Sequence, residues 1–268
     1  MLEEGLNDFL HRKFYTKIRP FSKETVKTLR FNNKKFKLLL NPNNGYVDAS
    51  IYAFKVFEKE ILTKAVKYIK KDSVIFDIGA NIGQHSIIFS LHGAQVYSFE
   101  PNNFIFEQFI KSISLNKISN ITPFNYGIAA EENIYDLYVN PKNVGNATLI
   151  KNSNFKHIKV NIKTLENFYR QIDKVDFVKI DVEGFELEVI LGNQGFFEKF
   201  KPFIWLEFTP DWYKDSKFSL TQLDEMIRKL GYRIYSFNNN RQLENLTSHT
   251  IIDDVFLFRE GDVDPGKI

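Results

Sequence analysis

Between residues 73 and 208, short apolar runs alternate with stretches of helical spacing, and this rhythm restricts the fold more than any other feature. Runs at 73–78, 95–99, 121–126, 177–180 and 203–208 have the length and composition of strands, while 82–91, 102–115 and 184–191 carry helical spacing. A strand followed by a helix and another strand builds a parallel, doubly wound sheet, because parallel neighbours need a right-handed crossover. Further on, 220–230 predicts a helix, and 232–237 and 255–258 predict strands that follow without a long crossover and so lie antiparallel at an edge. The stretch 133–162 is less regular, with strand-like pieces near 134–139, 146–150 and 158–162. A short helix is expected over 164–171, with Thr164 as its N-cap.

Upstream, 25–40 reads as a hairpin turning at Asn32-Asn33, with Val26, Leu29, Phe31, Phe36, Leu38 and Leu40 as its apolar positions. Phe57, Ile61, Leu62, Ala65, Val66 and Ile69 predict one helix over 54–70. Residues 1–24 are expected to form a short helix and a linker. These elements divide the chain into an N-terminal extension, 1–50, and a main domain, 51–268.

A chain of 268 residues with 43% hydrophobic side chains can bury a large core without staples. It has no cysteine, which excludes disulfides, thiolate metal sites, iron–sulfur clusters and cysteine nucleophiles. The first 20 residues carry His11, Arg12, Lys13, Lys17 and Arg19 and no apolar core of a signal peptide. No apolar run reaches the roughly 18 residues of a membrane span. A soluble, cytoplasmic protein is the expectation. Net charge is only +3, but residues 11–40 hold Arg12, Lys13, Lys17, Arg19, Lys23, Lys27, Arg30, Lys34, Lys35 and Lys37 against Glu24 alone. Such a stretch suits a solvated face; it also leaves open an anionic acceptor, peripheral membrane contact or nucleic acid.

In doubly wound sheets, ligands bind at the carboxyl ends of the strands, at the switch point of strand order. Three such ends carry chemistry here. The first is Asp77-Ile78-Gly79-Ala80-Asn81-Ile82-Gly83. Its spacing is not the G-x-G-x-x-G of dinucleotide sites, and a carboxylate ahead of the first glycine suits a ligand with positive charge rather than a pyrophosphate. The second is Glu100, followed by Pro101 and by Asn102 as a helix N-cap. A carboxylate at the end of a second strand can accept hydrogen bonds from both ribose hydroxyls. The third is Asp181-Val182-Glu183-Gly184-Phe185-Glu186, after the run 177–180. Glu186 and Glu188 are expected to serve the helix dipole, with Asp181 and Glu183 in the site.

Asp77–Gly83, Phe99-Glu100-Pro101 and Val178–Glu186 together resemble the FkbM family of methyltransferases, over about residues 70–210. The resemblance implies a mostly parallel seven-stranded class I methyltransferase sheet of Rossmann-like kind, to which the sequence adds a small N-terminal hairpin and helix. It implies S-adenosylmethionine (SAM) as cofactor and methyl transfer to a hydroxyl oxygen. The cofactor set expected on this basis is Asp77, Gly79, Asn81, Gly83, Glu100, Asn102, Ile128 and Asp181. The catalytic set is Glu183, His85 and Asp181. Gly145–Leu149 resembles a segment near the acceptor pocket, and Glu207 is expected to line that pocket.

An alcohol is a weak nucleophile at neutral pH, so transfer to oxygen needs a base or a metal beside it. Glu183 and His85 are the candidate bases, and Asp181 with Glu183 is a candidate pair for a divalent cation whose other ligands the sequence does not name. His157 and His249 are expected to be surface or core residues. The expected acceptor is a small molecule or glycan hydroxyl, a sugar or nucleotide-linked sugar among the options. Trp212, Tyr213, Tyr46 and Tyr52 are aromatic candidates for stacking on a sugar ring. An RNA-directed methyltransferase and a non-catalytic SAM-binding protein are the rivals. Base-amino methylation is disfavoured, because neither Asn41-Pro42 nor Asn140-Pro141 continues into a Pro-aromatic pair. The oligomeric state is not readable.

Overall fold

The computed structural model describes residues 23–140, 143–169, 171–247 and 253–267. The chain opens with a hairpin, β1 (Thr25–Phe31) and β2 (Lys34–Leu40), then α1 (Tyr46–Phe54) and α2 (Lys59–Ala65). Next come β3 (Val74–Ile78), α3 (Gln84–Leu91), β4 (Gln95–Phe99), α4 (Asn103–Asn116) and β5 (Ile121–Phe124). An irregular β segment follows: β6 (Gly127–Ile128), β7 (Asn133–Asn140), β8 (Asn143–Thr148) and β9 (Lys156–Lys163). The chain resumes with α5 (Glu166–Tyr169), β10 (Phe177–Ile180), α6 (Glu186–Gly192), α7 (Gln194–Phe200) and β11 (Phe203–Phe208). It ends with α8 (Leu220–Lys229), β12 (Tyr232–Ser236), β13 (Arg241–Leu243) and β14 (Asp253–Arg259).

Among the described residues the main sheet has eight strands in the order β13-β12-β14-β11-β10-β3-β4-β5. The pairs from β11 to β5 are parallel, as the alternation predicts. β14 runs antiparallel to β11 and to β12, and β12 antiparallel to β13, so one edge is mixed. The eighth strand, β13, goes beyond the expected seven; it is three residues long and pairs only with β12. Strand order reverses between β3 and β10, which places the ligand-binding crevice there. This is the α/β, doubly wound architecture that the alternation predicts, with one antiparallel edge.

The central strands are buried on both faces, which is why they read as nearly unbroken apolar runs. One face packs Phe76, Phe99, Leu187, Phe197 and Ile227. The other packs Ile75, Ile87, Phe89 and Phe109 together with Leu29, Phe31, Phe36 and Leu38 of the hairpin. The hairpin therefore shares the main core, and the expected boundary at residue 50 falls inside α1. The hairpin turns as expected, with Asn32 and Asn33 both at positive φ (42° and 64°).

The helix expected over 54–70 is shortened to Lys59–Ala65, followed by a 3-10 turn at Val66–Tyr68. Lys55 (φ 82°) and Glu58 (φ 51°) leave helical geometry, so α1 stops at Phe54 and α2 starts at Lys59. The helix expected over 164–171 shrinks to four residues, and the Thr164 hydroxyl donates to Glu132 rather than capping it. The stretch 133–162 forms a second sheet, ordered β6-β9-β7-β8. The helix and linker expected over 1–24 lie almost wholly outside the described residues.

Candidate active site

A cavity of about 340 Å³ opens at the carboxyl ends of β3, β4 and β10, a size that suits a small-molecule ligand. Its wall includes Gly79 and Asn81 after β3, Glu100, Pro101 and Asn102 after β4, and Asp181, Val182 and Glu183 after β10. Glu207 near the end of β11, Thr209 and Trp212 complete that side. Tyr46, Val47, Phe57 and Glu58 reach it from the N-terminal part, and Val144, Gly145, Ala147 and Leu149 from the second sheet.

The glycine turn is built against its neighbours. The Gly79 and Ala80 amides both donate to the Phe99 carbonyl at 3.0 Å, which draws the turn towards β4. Gly79 sits at φ 83°, and a Cβ there would lie 1.7 Å from the Asp181 carbonyl oxygen. The required close approach is therefore between two strand ends of this chain. Gly83 (φ 84°) does not line the cavity; a Cβ on it would strike the Phe109 ring of α4 at 1.9 Å. Its role is helix-on-helix packing rather than cofactor contact or packing on the strand.

Glu100 joins the two turns. Its carboxylate accepts from the Asn81 amide at 2.9 Å and from the Asn102 amide at 2.8 Å. Burial raises its pKa to about 7 against the pull of those two amides. Each oxygen keeps a second lone pair, which leaves capacity for a diol. Asn102 also caps α4 as expected, its side chain accepting from the Phe104 amide at 3.2 Å. Ile128 is buried and lines the cavity.

Asp77 is fully buried and does not line the cavity, so the expectation of a direct cofactor contact is corrected. Its carboxylate accepts from the Ser86 hydroxyl, which also meets the Ser98 hydroxyl. In register across β3, β10 and β11 stand Asp77, Lys179 and Trp205. Lys179 is only 2% exposed; its Nζ lies 2.8 Å from Asp181 Oδ2, 4.0 Å from Asp77 Oδ1 and 5.7 Å from the Trp205 ring centre. The two carboxylates raise the lysine pKa despite burial, so it stays charged. Burial acts to raise Asp181, but Lys179 outweighs it and holds this carboxyl below its ordinary value.

Around that pair lie further carboxylates. Burial raises Glu58, Glu183 and Glu207 well above the ordinary glutamate range, and repulsion from Asp181 adds to each. Asp254, which accepts from Trp205 Nε1 at 2.7 Å, is raised by burial to about 7. Glu183 sits at φ 54° in a loop held from two sides. Glu186 Oε1 accepts from the Val182 and Gly184 amides at 3.1 and 3.2 Å, and Thr148 Oγ1 donates to the Glu183 carbonyl at 2.6 Å. Glu186 thus shapes this loop, beyond the helix-dipole role expected of it.

His85 does not line the cavity. It is buried beside Phe89 and Trp205, and Nε2 lies 3.4 Å from Glu58 Oε2. Burial, reinforced by Lys179, lowers its pKa to about 3, which removes the proton affinity that its expected role as a base requires. Of the expected set, the cavity wall collects Gly79, Asn81, Glu100, Asn102, Ile128, Asp181 and Glu183, and leaves out Asp77, Gly83 and His85. Glu207 also lines it, with Gly145, Ala147 and Leu149 of the 145–149 segment. Trp212 and Tyr46 line it; Tyr52 and Tyr213 do not. Lys179, Glu58 and Asp254 escaped the sequence reading. A lysine interrupting an apolar strand marks Lys179; nothing local marks the other two.

His157 is an exposed strand residue near Asp136, and His249 lies outside the described residues. The described basic side chains of 23–40 sit on the hairpin and none lines the cavity; Arg12, Lys13, Lys17 and Arg19 are outside the described residues. Among the described residues, no three His, Cys, Asp or Glu are grouped to hold a metal ion, and no helix is long and apolar enough to cross a membrane.

Residues 77–234 match the family model of the methyltransferase FkbM domain. The hexuronic acid methyltransferase AglP of Haloferax volcanii is 28% identical over 137 residues, covering 50% of this chain and 56% of that protein. Methyltransferase 1 of Beauveria bassiana is 27% identical over 145 residues, covering 45% of this chain and 58% of that protein. The chain thus spans little more than half the length of these relatives. A crystal structure of a methyltransferase FkbM from Methylobacillus flagellatus aligns with 95% of this chain and 60% of that one, at TM-score 0.45 and 13% identity. With its family-model match covering more than half of the sequence, the chain belongs to the FkbM methyltransferase family.

Proposed function

We propose that this protein transfers a methyl group from SAM to a hydroxyl oxygen of a small molecule or glycan. The observation that carries the reading is the division of one cavity between a diol-accepting carboxylate, Glu100, and a carboxylate-rich end at Asp181, Glu183 and Glu207. SAM supplies an electrophilic methyl carbon on a positively charged sulfur. The residues present fit that cofactor. Glu100 accepts from the ribose hydroxyls, and Ile128 with Pro101 gives an apolar wall to the base. Asp181, kept ionised by Lys179, balances positive charge beside the Gly79 turn. Methyl transfer releases the hydroxyl proton, and Glu183 takes it; its raised pKa brings it closer to an alcohol's needs than an ordinary carboxylate. Trp212 and Tyr46 offer aromatic faces to a ring-shaped acceptor. The family match and the Haloferax relative, named a hexuronic acid methyltransferase, support a sugar as the acceptor class.

Thermal unfolding with and without S-adenosylhomocysteine (SAH) tests the cofactor assignment. Ligand at about 100 times its Kd adds roughly 2.7 kcal/mol, which raises the midpoint by about 5–10 °C. The shift is expected with SAH and not with NAD. Folded, ligand-free protein that shows no shift with SAH would remove the cofactor and the reaction together.

A further inference from the structure

We propose that Asn81 and Asn102 are positioning residues that suspend β8 from the carboxylate of Glu100, so that filling the ribose end of the cavity fixes the wall against which the acceptor is held. This rests on the SAM-dependent reading above. Each asparagine is used twice. Its backbone amide donates to Glu100, Asn81 to Oε2 at 2.9 Å and Asn102 to Oε1 at 2.8 Å. Its side-chain amide donates to a carbonyl of β8, Asn81 to Gly145 at 3.3 Å and Asn102 to Val144 at 3.4 Å. A further bond orients each side chain. Asn81 Oδ1 accepts from the Ile82 amide at 2.8 Å, and Asn102 Oδ1 from the Phe104 amide at 3.2 Å. The donor end of both amides is thereby the end turned to β8.

β8 needs such support. It is the edge of the second sheet, and its ladder to β7 pairs Asn143, Ala147 and Thr148 but is interrupted by a register shift at Val139/Asn140. Val144 and Gly145 fall inside that interruption, so their carbonyls take partners from the first sheet instead. Gly145 keeps the approach close: a Cβ there would lie 3.3 Å from Asn81 Nδ2. At its other end β8 holds the catalytic loop, where Thr148 Oγ1 donates to the Glu183 carbonyl at 2.6 Å. One strand therefore runs from the residues that grip Glu100 to the loop that carries the proposed base. A diol on Glu100 holds the carboxylate still, and with it the two asparagine backbones. By linkage, whatever steadies Glu100 steadies β8, and release of β8 weakens the ligand by the same factor.

Hydrogen exchange on the full chain, read by mass spectrometry for residues 143–149 with and without saturating SAH, tests the coupling; calorimetry gives the SAH affinity alongside. SAH is expected to slow this exchange about tenfold, the linkage value if release of β8 weakens SAH tenfold. Asn102→Ser keeps the helix cap and the backbone amide, and Asn81→Gly keeps the amide and the positive φ of 51°. Both variants are expected to bind SAH within about tenfold of the unsubstituted chain, with the slowing cut to under about twofold. Asn143→Ala, which frees the Tyr46 amide and leaves the two asparagines in place, should speed exchange with and without SAH and keep their ratio. A merely structural role for the asparagines would give that same pattern, so a preserved ratio in Asn102→Ser and Asn81→Gly overturns the proposal. Exchange that SAH leaves unchanged in the unsubstituted chain, with SAH bound, also overturns it and leaves the cofactor assignment standing. Loss of SAH binding in the two variants overturns it too, because the side chains would then serve the cofactor itself. Failure of the unsubstituted chain to bind SAH removes the cofactor reading together with this one.

Discussion

Replacing Lys179 by Met keeps most of the side-chain volume and removes the charge that Asp77 and Asp181 share. At an effective dielectric of about 20, a unit charge at 2.8 Å from Asp181 is worth about 6 kcal/mol, and one at 4.0 Å from Asp77 about 4 kcal/mol, before desolvation. Desolvation of the two buried groups, Lys179 and Asp77, offsets much of this, so the net loss is expected at about 3–5 kcal/mol, the range for breaking a buried pair on one side. At about 2–4 °C per kcal/mol, the unfolding midpoint falls by about 6–20 °C. The pH dependence gives the sharper check. Asp181 is held below its ordinary value, so its stabilising contribution is present above the unfolded carboxyl pKa and fades as pH falls through the lower folded value. Lys179 is held above its ordinary value, so its contribution is complete at neutral pH and fades only at high pH. In Lys179→Met the buried Asp77 carboxyl must take up a proton, and Asp181 loses the cation that holds its pKa down. The gap between the two proteins is therefore wide at about pH 7 and narrow below about pH 4. Urea unfolding followed by circular dichroism at both pH values measures it. A loss under about 1 kcal/mol at neutral pH, or an equal loss at both, would refute the assignment of Lys179 as the charge that holds this site together.

Gly79→Ala places a methyl 1.7 Å from the Asp181 carbonyl at φ 83°; loss of the SAH-induced thermal shift is expected, with a lower midpoint in the free protein. Glu100→Gln turns an amide NH₂ towards either the Asn81 or the Asn102 amide, so SAH affinity is expected to fall about 10–100-fold by calorimetry, about 1.4–2.8 kcal/mol. Glu186→Ala leaves the Val182 and Gly184 amides without their acceptor; about 1–3 kcal/mol of stability should go, and hydrogen exchange at those two amides should quicken.

The central strands were legible because burial on both faces writes them as unbroken apolar runs, and 177–180 and 203–208 match β10 and β11 residue for residue. The break between α1 and α2 was not. The apolar spacing already starts at Phe57, inside that break, while Lys55 and Glu58 adopt positive φ with no glycine or proline to announce them. The site divides in the same way. Gly79, Glu100 and Asp181 follow strands at fixed offsets and so are visible in one dimension. Glu58 reaches the cavity only because the N-terminal part folds over the sheet, and Lys179 pairs with Asp77 only through strand register. His85 was misplaced because sequence gives its helix turn but not its depth: under Phe89 and Trp205 it is too dry to carry a proton.

The roof of the cavity has a consequence for the order in which the molecule assembles. It is closed where the α1 end meets β8: the Val144 amide donates to the Asn44 carbonyl at 2.5 Å, and the Tyr46 amide to Asn143 Oδ1 at 2.8 Å. These partners lie 97 residues apart for Tyr46 and Asn143, with three strands of the parallel sheet between them in the chain. Loop closure over such a span is entropically unfavourable until the intervening structure has brought the ends together. Closure of the roof is therefore expected to follow the strands beneath it, and a complete cavity exists only once it has formed. During refolding, SAH should leave the early phases unchanged, and its binding signal should appear with the last one. The ligand then reports the closing of this contact between two distant parts of the chain.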